Sequence, residues 1–292
     1  AVEEPLSELS TRISTLQITA GLDRQLQERV ETLLDTLLLG FFGLPVNLGR
    51  FSAFGRACQA RAELVKIIWG LMSNPNLDNQ NIIRDLTRAS EAGEAFTLQE
   101  IADTVVTLLL AGKFTTADAL PALIANLSDH PEWVALIAKE PLEFKSIEED
   151  SATLRFVRES LRMAPPAGAY RRVCNDPRAA LDLGEYGRIP PGCPFAVLLR
   201  NPLVAMAEDF NPDRWTAEAS RNEGSITFGG PQPHACIGKN LALLELMAFA
   251  RVLCREYDFK ALSTELVMKS TKPITKSYKD GLRLTIARKP AA

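Results

Sequence analysis

The sequence predicts a mainly α-helical chain with a small β part in its second half. Three observations carry that expectation. Apolar residues recur at helical spacing through the first half. Asp, Gly and Pro turn signals cut residues 170–200 into short β-prone runs. No internal repeat or low-complexity tract interrupts the pattern. With 292 residues, the length allows one large domain or two ordinary ones.

The elements follow in order. Residues 23–39 place Leu26, Val30, Leu33, Leu34, Leu37 and Leu38 on one helical stripe, stopped by Gly40, Gly43 and Pro45. Residues 56–72 repeat the pattern with Ala57, Ala60, Leu64, Ile67 and Ile68, and an Asn/Asp-rich loop spans 73–80. The next helix runs from Thr97 to Ser128, with Thr97 as N-cap and Glu100 at the capping-box position. Pro121 lies inside it and is expected to kink or break it. Short helices cover 132–139 and 148–163, the second ended by Pro165-Pro166. Hairpins are expected over 170–200. A Pro/Gly/Asn-rich meander over 201–235 leads into an apolar helix, Gly238–Cys254, and the tail over 256–289 reads as short strands around Asp280-Gly281.

Composition removes several functions. Hydrophobic residues at 46% and charged residues at 24% exclude disordered and collagen-like classes. With 33 basic against 36 acidic side chains, there is no polybasic signature for nucleic acid. The longest apolar stretches, Leu37–Leu44 and Val105–Gly112, fall short of a bilayer-crossing run. The apolar Leu37–Leu48 stretch fits contact with a membrane surface or a buried loop between helices. The acidic start, without a basic signal-peptide region or initiator Met, leads to the expectation of a piece or processed form of a longer protein. The two histidines, His130 and His234, exclude a His-rich zinc site. The five cysteines have no C-x-x-C pair, so zinc ribbons and dithiol redox motifs are not expected. Cysteine chemistry here rests on one thiolate acting alone.

The segment from Phe228 to Gly238 joins a Gly/Pro-rich loop to a helix start, with Cys236 near the junction. Backbone N–H groups and the helix dipole favour a thiolate there. A phosphate loop is rejected: seven residues separate Gly230 from Gly238-Lys239, and Asn240 replaces the required Ser or Thr. A cysteine nucleophile would need a base, and His234 on the same loop is poorly placed for it. An iron thiolate, with His234 bonding an anionic group of the cofactor, is the third reading, beside a simple core cysteine.

The run from Phe228 to Glu245 resembles the haem-binding loop and following helix of the cytochrome P-450 superfamily. The shared pattern is Phe228, a glycine turn, a basic residue two before Cys236, Gly238 two after it, then Leu241-Ala242 and Glu245. Three further segments stand in that family's order. Glu159-Ser160-Leu161-Arg162 resembles its Glu-x-x-Arg motif. Asn211-Pro212-Asp213-Arg214-Trp215 resembles its Pro-Glu-Arg-Phe segment. Ala111-Gly112-Lys113-Phe114-Thr115-Thr116 resembles its oxygen-binding stretch. The wording of Phe114–Ala117, Pro165–Arg172 and Gly43–Leu48 is closest to the retinoic-acid hydroxylase branch and its cyanobacterial and sterol-related relatives.

The resemblance implies the carboxy-terminal two-thirds of the cytochrome P-450 fold, one domain over 1–292, incomplete at the amino terminus. It implies haem b (iron protoporphyrin IX) with Cys236 as iron ligand. Phe228 and Gly238 would shape the loop, and His234 with Arg171 or Arg172 would bond a propionate. Glu159, Arg162 and Arg214 would form a structural network. Thr115 and Thr116 would serve oxygen activation. Leu109, Ala111, Phe114, Ala167, Gly168 and the 275–280 turn would wall a pocket for a small lipophilic substrate. The implied partners are dioxygen and an NADPH-dependent reductase or ferredoxin, with Lys239, Arg251 and Arg255 as docking charges. Membrane contact would run through the absent amino terminus. The implied reaction is monooxygenation; a hydroperoxide isomerase or dehydratase on the same fold, and a truncated non-catalytic fragment, are the alternatives. Three departures stand out. Phe228 lies eight residues before Cys236, one more than the family's usual spacing, Gln232 replaces a glycine, and Phe114 replaces the acid before Thr115.

Overall fold

The computed structural model describes residues 2–19, 23–41, 43–74, 82–92, 96–144, 146–147, 149–175, 180–199, 209–216, 226–230, 235–262, 266–268, 276–278 and 281–290. The chain divides into two compact units, Glu3–Ala117 and Asp118–Ala292, the second including Val2.

The first unit is helical. It contains α1 (Glu3–Thr19), α2 (Arg24–Phe41), α3 (Ala53–Met72), α4 (Ile82–Glu91) and the first part of α5 (Leu98–Asp129). The stripes read from the sequence on α2 and α3 meet residues of α5 in one core of Val30, Leu33, Leu34, Leu64, Ile68, Ile101 and Val105. Burying each large aliphatic side chain contributes roughly 1.5–3 kcal/mol. Helices α2 and α3 approach so closely that a Cβ on Gly40 would lie 2.2 Å from the Ala57 Cβ. Ser52 caps α3, its hydroxyl accepting from the Gly55 amide at 3.0 Å. Thr97 and Glu100 form the capping box of α5 reciprocally. Thr97 Oγ1 accepts from the Glu100 amide at 3.2 Å, and the Glu100 carboxylate accepts from the Thr97 amide at 2.8 Å.

Two readings are corrected in this unit. The stretch between α2 and α3 is not a buried loop: Leu44 is 82% and Phe51 78% exposed, and Leu39, Phe41, Val46 and Leu48 are exposed as well. Leu109, expected on a pocket wall, is 1% exposed and belongs to the helical core.

In the second unit, α5 continues through Pro121 to Asp129 without a break. Ala119, Leu120, Leu123 and Ile124 are buried on either side of the proline, and their packing holds the helical backbone that the missing N–H would weaken. Helices α6 (Pro131–Ile137), α7 (Ala152–Met163) and α8 (Lys239–Glu256) pack against one another in the same unit. Helix α7 starts later than its apolar pattern suggested. Ser151 caps it, accepting from the Leu154 amide at 3.1 Å, and Glu140 accepts from the Ala152 amide at 2.7 Å.

Four small antiparallel ladders complete this unit. β1 (Ala169–Val173) pairs with β4 (Pro194–Leu198), and β2 (Leu181–Asp182) with β3 (Arg188–Ile189). β5 (Tyr257–Ala261) pairs with β8 (Leu284–Arg288), and β6 (Leu266–Met268) with β7 (Lys276–Tyr278). Short 3-10 turns at Pro212–Arg214 and Ile226–Phe228 are the regular parts of the meander among the described residues. The protein is thus mainly α with a small β part.

Candidate haem-thiolate site

Helix α7 presents Glu159 and Arg162 one turn apart, and both side chains are fully buried. Their pairing is two-pronged: Arg162 Nε donates to Glu159 Oε2 at 2.9 Å and Nη2 to Oε1 at 2.8 Å. Arg214 Nε, from the turn in the meander, donates to Glu159 Oε1 at 3.0 Å. Two further donors stand in the quoted Asn211–Trp215 segment, but the sequence gives them no partner. The Asn211 amide reaches Oε1 and the Trp215 indole Nε1 reaches Oε2, each at 2.8 Å. Arg162 and Arg214 both also donate to the Asp209 carbonyl, at 2.9 and 3.1 Å. Burial opposes ionisation of Glu159. The bonds from Arg162, Asn211, Trp215 and Arg214 outweigh it and hold the carboxyl below the usual carboxylate range. Phe210, in the same segment, stacks on His130 at 4.4 Å between ring centres and packs edge-on to Phe156 at 5.1 Å. The segment Asp209–Trp215 is therefore tied to α7 by charge and by aromatic packing.

The segment leading to α8 carries Cys236. Gly229 and Gly230 turn the backbone at φ +94° and +81°, a conformation that side-chain-bearing residues rarely adopt. This returns the chain so that the Cys236 amide donates to the Phe228 carbonyl at 2.7 Å. Gly238 is the N-cap of α8, which puts Cys236 two residues before the cap and not in the first helical turn. Cys236 is exposed, whereas Cys174 and Cys254 are buried. Burial pushes the Cys254 thiol up to about 12, which removes it as a ligand or nucleophile at neutral pH. His234 and Gln232 lie outside the described residues, as do positions 275, 279 and 280 of the expected pocket turn.

Strand β1 lies against this segment. The Tyr170 hydroxyl donates to the Thr227 carbonyl at 3.1 Å. Arg171 is exposed; Arg172 is half-buried, with its guanidinium 5.3 Å from the Tyr170 ring centre. Ala167 and Gly168, just before β1, are half-buried, and the Gly168 carbonyl accepts from the Leu199 amide at 2.9 Å.

The oxygen-binding stretch expected from the sequence lies in the first unit. Thr115 Oγ1 donates to the Ala111 carbonyl at 2.8 Å, and Thr116 is buried. Phe114 is half-buried and Ala111 exposed. Lys113 is buried and pairs with Asp35 at 2.6 Å.

Arg251 corrects the docking expectation. It is 5% exposed, at the centre of a second ion network in the second unit. It pairs with Glu140 at 2.9 Å, donates to the Pro141 carbonyl at 2.7 Å and lies 4.1 Å from the centre of the Phe144 ring. A charge so enclosed is not available to a partner. Charge in a sequence carries no signal of burial, so the network was not legible there.

Among the described residues, no cluster of three or more His, Cys, Asp or Glu side chains could hold a metal ion. The donor set suits a metal carried inside a macrocycle: one exposed cysteine sulfur, a glycine turn of small profile beside it, and arginines on the neighbouring strand for acidic substituents.

The comparisons with known proteins agree. The cytochrome P450 family profile matches residues 30–281. The chain is 27% identical to the taxane 13-alpha-hydroxylase of Taxus cuspidata over 256 residues, covering 78% of this chain and 51% of that protein. It is 30% identical to the alkane hydroxylase MAH1 of Arabidopsis thaliana over 203 residues, covering 65% and 40%. Among solved structures, the retinoic acid-bound cyanobacterial CYP120A1 superimposes with a TM-score of 0.75 at 22% identity, covering 98% of this chain and 68% of that one. The chain spans about half the length of the curated relatives it matches. This chain belongs to the cytochrome P450 superfamily, whose cofactor is haem.

Proposed function

We propose that the chain forms the haem-thiolate centre of a monooxygenase that inserts one oxygen atom of dioxygen into a C–H bond of a small lipophilic substrate, retinoid-, sterol- or terpenoid-like. The observation that carries this reading is the exposed Cys236, held by its own amide on the Phe228 carbonyl after two left-handed glycines. The names of two relatives, a taxane hydroxylase and an alkane hydroxylase, support a lipophilic substrate attacked at carbon.

Cys236 is the proposed iron ligand. When bound, the haem supplies dioxygen activation and oxygen transfer. The protein's residues position and protect. Phe228 and Gly238 fix the backbone on either side of the sulfur. Arg172, with Arg171 and His234, is the proposed anchor for the propionates. Thr115 commits its proton to the Ala111 carbonyl, so its oxygen meets a bound molecule as an acceptor. Thr116 accompanies it; Ala111 and Phe114 on that stretch and, in the second unit, Ala167 and Gly168 are each proposed as substrate-contacting residues. Electrons would come from an NADPH-dependent reductase or a ferredoxin, with Lys239 and Arg255 as docking charges.

Replacing Cys236 with serine in the haem-loaded protein is expected to abolish the thiolate-type absorption band of the reduced carbon monoxide complex. Retention of that band overturns the assignment. Turnover that requires reduced pyridine nucleotide and dioxygen supports monooxygenation. Turnover of a hydroperoxide with neither would establish the isomerase or dehydratase reading, which Phe114 in place of an acid favours.

A further inference from the structure

Tyr170 has no role in the family motifs read from the sequence, yet its hydroxyl sits at the turn that sets the position of Cys236. The phenol donates to the Thr227 carbonyl at 3.1 Å. The Gly229 amide hydrogen-bonds the same oxygen. One hydroxyl thus holds a carbonyl and an amide of the same turn, from outside it. Between those two groups lies Phe228, whose carbonyl accepts from the Cys236 amide at 2.7 Å. The tie therefore runs from strand β1, through the turn, to the backbone of the cysteine. Tyr170 is itself fixed. It sits in the β1–β4 ladder opposite Val197, and the Arg172 guanidinium lies over its ring.

We propose that Tyr170 is a positioning residue for the haem ligand: its hydroxyl clamps the Thr227–Gly229 turn and so fixes the place and electron donation of the Cys236 sulfur. The inference rests on Cys236 as the iron ligand. Burial pushes the Tyr170 phenol up, against the Gly229 hydrogen bond. The phenol therefore stays protonated and able to donate. Its loss would free the Gly229 amide, the residue with φ +94°, and leave the Thr227 carbonyl without this donor.

The test uses haem-loaded protein, Tyr170→Phe, and Val197→Ala as a control that disturbs the strand pair but not the hydroxyl. Three quantities are read: the reduced carbon monoxide spectrum over time, the midpoint potential of the haem, and the thermal midpoint. Tyr170→Phe is expected to convert from the thiolate-type to the thiol-type band about 3- to 10-fold faster, the factor that one lost hydrogen bond corresponds to. Its potential should shift, and Val197→Ala should leave both unchanged at a similar thermal midpoint. A Tyr170→Phe protein that matches the unmodified protein in band decay and potential overturns the clamp. So does a Val197→Ala protein that decays equally fast, because general loosening of the strand would then suffice. Absence of the thiolate-type band in the unmodified protein overturns the ligand assignment itself, and the clamp with it.

Discussion

Helix α7 is held near both ends by buried charge, and the two ends are built on opposite plans. Toward its C-terminus the hub is a carboxylate. Glu159 is fully buried and collects donors from Arg162, Arg214, Asn211 and Trp215. Toward its N-terminus the hub is a guanidinium. Arg251 reaches Glu140, Thr153 and the Pro141 carbonyl, and covers the Phe144 ring. The first hub fastens the meander that leads to the cysteine, and the second fastens the α6–α7 connection to α8. They differ in access to water: the Glu140 side chain keeps 17% exposure and the Glu159 side chain none. A buried ion pair contributes little net stability but costs much when one partner is removed, so the drier hub should be the more fragile.

That comparison can be broken most sharply by Glu159→Gln. The substitution keeps the shape and strands the buried Arg162, so a loss of about 3–5 kcal/mol is expected in urea unfolding, with loss of bound haem. Arg251→Met should cost less, about 2 kcal/mol, because Glu140 can turn toward water and methionine still covers Phe144. Equal losses in the two variants would show that burial of the hub is not what decides. The smallest effect lies in pH. The Glu159 carboxyl is depressed in the folded protein, so its contribution is fully present above the ordinary glutamate value of 4.5 and is lost as pH falls through the lower folded value. Urea midpoints taken from pH 6 downward should fall less steeply for Glu159→Gln than for the unmodified protein; parallel curves would contradict the depressed carboxyl.

What the sequence disclosed depended on whether a signal was local. The Thr97–Glu100 capping box and the stripes of α2 and α3 rest on short-range spacing, and they form as read. Helix α1 gives no such signal because its buried face is largely hydroxyl-bearing: Ser10, Thr11, Ser14 and Thr15 accompany Leu6. A search for apolar periodicity does not see such a face. Helix α4 buries only Ile83 and Thr87, too few for a stripe. At the site, Glu159, Arg162 and Arg214 were legible through motif order, and the structure brings the three together. Trp215 stood in a quoted motif, but nothing in a sequence says that its indole N–H points at a carboxylate 56 positions away. Tyr170 and Arg251 were hidden for the same reason: their partners are distant in sequence.

The double fastening of α7 has a consequence for how this region comes apart. Its ends cannot fray one at a time in the usual way, since each is stapled to a different neighbour. Deuterium uptake by the amides between Leu154 and Leu161 should therefore wait for a concerted opening of the meander and the α6–α7 connection, which makes this short helix a slow-exchanging keel for the second unit.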